Sequence, residues 1–210
     1  MSILHDAGKG LLLTYATPMY AQVLSRTAKT NAGLRARILH EERRFSGLEK
    51  SNVGGWHSKP DLFAWDEPTV GVLLGWIGKS VKQMTDYGNQ GIASRSTIDT
   101  VGWANVCRTG DYHRTHMHPG HDWSGVYYVD AGAASASYPN SGIIEFLDPR
   151  AGVNLLDTPG KPYSGVVHFR PESGMLLLFP SWLGHFVNPY HGVGERISIA
   201  FNVRMVASAA

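Results

Sequence analysis

Four of the chain's ten histidines fall inside nine residues, 113–121, in the string HRTHMHPGHD. A neutral imidazole is the commonest protein ligand for a transition metal. His116 and His118 stand one residue apart. On a strand, side chains at i and i+2 share a face, so both rings can reach one ion. His185 lies far along the chain in FPSWLGHFVNP, just after the apolar run GMLLLF. A third imidazole from a distant strand would complete a facial ligand set on a rigid β scaffold and leave other positions open for substrate and water. His113 and His121 flank the pair, and Asp122 is a nearby carboxylate, but Pro119 and Gly120 are expected to turn the chain between it and the pair. His5, His40, His57, His168 and His191 stand alone and read as surface or satisfied core residues.

The elements that must position these groups change character along the chain. LLLTYATPMYAQVL opens like a strand and is broken by Pro18. Residues 30–45 place Leu34, Ile38 and Leu39 near one face, an amphipathic helix with Thr30 or Asn31 as N-cap. SNVGGWHSKPDLF is rich in turn formers and reads as a loop. In residues 67–88, Val70, Leu73, Leu74, Ile77 and Val81 follow helical spacing, with Pro68 tolerable in the first turn. From about residue 97 the runs IDTVGWANVC, SGVYYVDA, GIIEFLD, VVHFRP, GMLLLFPS, HFVNPY and RISIAFNVRMV are short, β-type and punctuated by turn residues. That spacing predicts an all-β sandwich or barrel, with the helices of the first half packed on it around a shared core.

With 210 residues, 43% hydrophobic and 17% charged, the chain reads as one ordinary globular protein with a sizeable core. Its formal charge of +2 carries no basic stripe, so nucleic acid is not an expected partner. Its one cysteine, Cys107, can form neither an internal disulfide nor a thiolate-rich zinc site, which suits a reducing, cytoplasmic setting. The opening MSILHDAGKGLLLTYATPMY has no basic region before its apolar run, and that run is too short for a bilayer. No signal peptide and no membrane segment are expected.

GDYHRTHMHPGHDWSGVYYVD, SGIIEFLDPR, GMLLLFPSWLGHFVNP and GERISIAFN, taken in order, resemble the 2-oxoglutarate- and iron(II)-dependent oxygenases, distant relatives of the prolyl hydroxylases, and most of all an uncharacterised microbial and phage branch. The resemblance extends upstream through GGWHSKPDLF and covers roughly residues 55–203. It implies a mainly β, double-stranded β-helix (jelly-roll) fold with N-terminal helices packed on it: a single domain over 1–210, with a helical or mixed part at 1–96 and the jelly-roll core at 97–206. It implies a dioxygenase, a hydroxylase that uses Fe(II), O2 and 2-oxoglutarate, with His116 and His185 as metal ligands. The arginine that pairs with the distal carboxylate of 2-oxoglutarate falls on Arg196, and a guanidinium fork suits a carboxylate. Ser198 shares its strand face, and Tyr128 sits where relatives place a phenol on that carboxylate. Trp103, Asn105 and Trp123 are candidates to line the pocket. The prime substrate and the oligomeric state stay open.

The chain departs from the family pattern at His118, where better-known relatives carry Asp or Glu. Either the site has three histidines, or Asp122 supplies the carboxylate. With three neutral ligands the dianionic co-substrate must do more of the neutralising, and zinc or nickel can compete with iron. The same letters also fit a cupin, which shares the jelly-roll architecture, so a cupin-like metalloprotein or metalloenzyme that does not use 2-oxoglutarate is the alternative. A jelly-roll binding module with a structural metal is a third reading.

Overall fold

The computed structural model describes residues 15–88, 97–155 and 165–206. Its thirteen strands are β1 (Tyr20–Val23), β2 (Asn52–Val53), β3 (Trp56–His57), β4 (Thr97–Cys107), β5 (Tyr112–His116), β6 (Trp123–Asp130), β7 (Ala133–Ala134), β8 (Ile144–Leu147), β9 (Val166–Phe169), β10 (Met175–Pro180), β11 (His185–Val187), β12 (Gly192–Val193) and β13 (Arg196–Val206). Helix α1 spans Ala28–Arg44 and α2 spans Pro68–Gly88. Six strands form one sheet, ordered β1-β10-β6-β13-β4-β3, and five form a second, ordered β2-β5-β11-β8-β9. Neighbouring strands pair antiparallel throughout. The architecture is a double-stranded β-helix with the helices laid on its larger sheet.

Strict alternation along the central strands separates two cores. On β13, Ile197, Ile199, Phe201 and Val203 join Tyr127, Val129, Leu176 and Leu178 and bury Leu34 and Ile38 of α1 with Leu73, Ile77 and Val81 of α2. The opposite faces send Val126, Tyr128, Leu177 and Phe179 between the sheets, against Ile144, Phe146 and Val187. On β13 that inner face carries Arg196 and Ser198, both buried. Ile77, on the inner face of α2, is fully buried. We expect Ile77→Ala to cost about 2–5 kcal/mol in urea unfolding, and Val72→Ala, on the exposed side of the same helix, to stay within about 0.5 kcal/mol.

All seven β-type runs expected after residue 97 are strands, and the second helix begins on Pro68 as expected. Three local readings change. α1 starts at Ala28, two residues before Thr30 and three before Asn31, the expected caps: the Thr27 carbonyl accepts the Asn31 N–H at 2.8 Å. Thr30 is buried inside the helix, and the Asn31 carboxamide instead accepts the Tyr127 hydroxyl. The first strand lies beyond Pro18, at Tyr20–Val23, and residues 11–14 of the expected strand opening lie outside the described residues. The turn-rich stretch read as a loop contains β2 and β3, which join different sheets. The chain crosses between them at Gly54 and Gly55, with φ of +66° and +63°, a left-handed pair that L side chains resist. Among the described residues no helix is long and apolar enough to cross a membrane.

Candidate metal centre and its pocket

β5 and β11 pair so that His116 lies opposite His185. Their ring centroids are 4.3 Å apart, and the His118 ring lies 5.0 Å from His116 and 5.2 Å from His185. The three rings each offer one nitrogen within 4.8 Å of the others, a group that could hold a metal ion. The His116 Nδ1–H donates to the Arg114 carbonyl at 2.7 Å, and the His185 Nδ1–H to the Leu183 carbonyl at 2.9 Å. Those bonds set both tautomers and leave the Nε2 lone pairs free, as the outer partners of metal-bound imidazoles do. His118 lies just past the end of β5, not on it; its own N–H donates to the Ser181 carbonyl.

Burial keeps these rings neutral. It lowers the pKa of His116, brings His118 down to about 4 with help from His116 and His121, and brings His185 down to about 3. Protons then compete with a metal only well below histidine's usual range. Zinc affinity is expected to change little between pH 8 and 6 and to fall only as the pH approaches these lowered values, checked by chelator competition across that range.

A cavity of about 590 Å³ opens onto the three histidines and runs inward to Arg196, Ser198 and Tyr128. Arg196 is 2% exposed. Its Nη2 approaches the Tyr128 hydroxyl at 3.4 Å, and its guanidinium sits 5.0 Å above the Tyr128 ring. Nε and Nη1 are buried with no partner. Among the described residues no carboxylate pairs with this cation. Burial raises the Tyr128 hydroxyl and the Cys107 thiol, and burial followed by the Arg196 charge takes His113 down to about 3. A buried cation without a counter-ion is costly unless a ligand supplies one.

The remaining candidates separate cleanly. Asp122 is exposed and turned away: its Oδ2 accepts the Met205 N–H at 2.6 Å, so it is absent from the histidine group. His113 is buried on β5 with Nε2 3.6 Å from Cys107 Sγ, in the cavity wall but outside the triad. His121 is also outside the triad. Trp103 and Asn105 line the cavity, whereas Trp123 packs on the helix side of the large sheet. His57, read as an isolated residue, lines the cavity and stacks on Trp103 at 5.6 Å. Lys50 and Ser51 were also missed: the Ser51 hydroxyl lies 3.5 Å from His116 Nε2. The upstream reach of the family resemblance, through GGWHSKPDLF, hints at His57 and stops short of Lys50 and Ser51.

The family model described as "Putative 2OG-Fe(II) oxygenase" matches residues 102–202. No curated protein matches the chain. Among solved structures, a Pseudomonas putida prolyl-4-hydroxylase is similar at a TM-score of 0.61 and 16% identity, over 92% of this chain and 94% of that one. A Trichoplax adhaerens prolyl hydroxylase, in complex with a hypoxia-inducible-factor peptide fragment, is similar at 0.58 and 15%, over 89% and 83%. HygX from Streptomyces hygroscopicus, with nickel, 2-oxoglutarate and hygromycin B bound, is similar at 0.54 and 12%, over 90% and 83%. At these identities the structures speak for the fold. The sequence match to the 2OG-Fe(II) oxygenase model contains all three histidines and Arg196.

Proposed function

We propose that the protein is an Fe(II)- and 2-oxoglutarate-dependent hydroxylase whose metal is held by His116, His118 and His185 and whose co-substrate carboxylate is held by Arg196. The observation that carries this is the buried guanidinium with Nε and Nη1 unpartnered, in the same cavity as the three imidazoles. A metal site alone needs no such cation, whereas a dicarboxylate reaching inward from the metal does.

Iron with 2-oxoglutarate and O2 supplies, when bound, the oxidation of an unactivated C–H bond. The chain's own work is placement. His116 and His185 enter with tautomers set by backbone carbonyls. Arg196 offers two N–H groups to one carboxylate, the planar match that a lysine lacks. Tyr128, protonated at neutral pH, donates its hydroxyl to the same group, and Ser198, two residues from Arg196 on one strand face, adds another. Val126, Ile144, Phe179 and Val187 form an apolar wall around the carboxylate arm and keep water from competing for it.

The test is an anaerobic titration of metal-free protein with iron(II) and then 2-oxoglutarate, following the weak visible charge-transfer band of the chelated keto acid. A saturable band that disappears in His116→Ala supports the proposal. Iron binding with no band at any keto-acid concentration removes 2-oxoglutarate from it and favours a cupin-like metalloprotein. No iron binding removes the site as an iron centre.

A further inference from the structure

Among the described residues the cavity lining contains no aspartate and no glutamate, and its charged side chains are Arg196 and Lys50. Resting on the oxygenase reading, the charges can be summed. A divalent metal and a dianionic co-substrate cancel, and the three ligands are neutral. The charges of Arg196 and Lys50 remain. Arg196 lies deep beside Tyr128, while Lys50 is exposed at the rim. Lys50 directly precedes Ser51, whose hydroxyl reaches within 3.5 Å of both His113 Nδ1 and His116 Nε2. Its charge is felt at His57, whose pKa falls mainly through burial and in part through Lys50. The Lys50 ammonium has no carboxylate or hydrogen-bond partner among the described residues.

Beside Lys50 the wall is flat and aromatic. His57 lies parallel to Trp103 at 5.6 Å and 11°, and Trp103 continues to His118 at 5.8 Å. This run of rings leads from the charged rim to a metal-ligating histidine, with Pro60 and Met117 also in the lining. The volume exceeds what one small keto acid fills and is of the size that holds a second small molecule.

We propose that the prime substrate is a small organic acid that sets its anionic group on Lys50 and lays an apolar, flat body along Trp103 towards the three histidines. An amine would meet the Lys50 ammonium and no carboxylate of the described lining, so the rim selects against it by repulsion as much as for an anion by attraction. Lys50 is then a specificity-determining residue.

The experiment is calorimetric binding to protein loaded with zinc and saturating 2-oxoglutarate, using three probes of one skeleton: phenylacetate, phenylacetamide and phenethylamine. Phenylacetate is expected to bind about tenfold more tightly than the amide, and the amine not measurably. Lys50→Gln is expected to bring phenylacetate to the level of the amide while 2-oxoglutarate affinity stays unchanged. Absence of binding by all three probes, equal binding of all three, or a preference that survives Lys50→Gln overturns the inference. If 2-oxoglutarate itself fails to bind the zinc-loaded protein, the oxygenase reading falls and takes this inference with it. Normal 2-oxoglutarate binding without a charge preference sinks the inference alone.

Discussion

Arg196→Met is expected to weaken 2-oxoglutarate binding to the metal-loaded protein by roughly 100-fold or more, while the metal-free protein melts at the same temperature or higher. The two halves of this result have one cause. Without ligand, the guanidinium is 2% exposed, with Nε and Nη1 unpartnered and the Tyr128 face and hydroxyl, the Cys107 thiol and His113 around it. Replacing an unmatched buried cation with an apolar chain of similar reach is commonly neutral or stabilising. With ligand, the same change leaves a carboxylate buried without its cation, and truncating one partner of such a pair costs about 2–5 kcal/mol. Arg196→Lys should fall between the two, since an ammonium keeps the charge but not the planar fork. Calorimetry and thermal melts on the same samples check both halves. Unchanged 2-oxoglutarate affinity would move the cupin-like alternative forward. A large loss of stability without ligand would make Arg196 a structural residue.

A divalent ion is expected to bind on the order of 100-fold more tightly when 2-oxoglutarate is present, near the upper end of ordinary coupling between two sites. The reason is the charge balance. His116, His118 and His185 are neutral, no acid among the described residues lines the cavity, and Arg196 adds a positive charge deeper in it. A metal arriving alone meets repulsion and no compensation; a dianion removes both difficulties together. Linkage requires that the metal raise 2-oxoglutarate affinity by the same factor. His118→Asp restores a ligand carboxylate, so the metal alone should bind about tenfold more tightly and the coupling should drop to about tenfold or less. Chelator competition with and without 2-oxoglutarate, on both proteins, measures the four affinities. Equal metal affinity with and without the co-substrate in the unsubstituted protein would contradict the charge argument, whatever the variant does.

Much of the architecture was legible because its signals are local. Short β-type runs separated by Gly, Pro, Asn and Asp marked seven of the ten strands described from residue 97 on, and Val70, Leu73, Ile77 and Val81 gave α2. Where a strand is buried on both faces the alternation vanishes. SGVYYVD is apolar on either side, so nothing in its pattern says that Tyr127 faces the helices and Tyr128 the cavity. Trp123 was misplaced for the same reason, since its ring packs on the helix side. β2 and β3 are two residues long, too short to show a period, and with them Lys50, Ser51 and His57 went unseen.

What the amino-acid order determined by itself is the supply of chemistry: a His-x-His pair, a third histidine after an apolar strand, an arginine eleven residues on, and a histidine where the family resemblance leads one to expect an acid. Tertiary structure alone decided which of these meet. Pairing of β5 with β11 sets His116 against His185 across 69 residues of chain. The tie between the Asp122 carboxylate and the Met205 N–H removes the one nearby acid from the site. The closing of two sheets leaves the Arg196 guanidinium buried without a counter-ion. Side-chain period is written within a few residues, but the distance between strands is set by pairing and packing over the whole chain, and a charge goes unmatched only when everything folded around it is neutral.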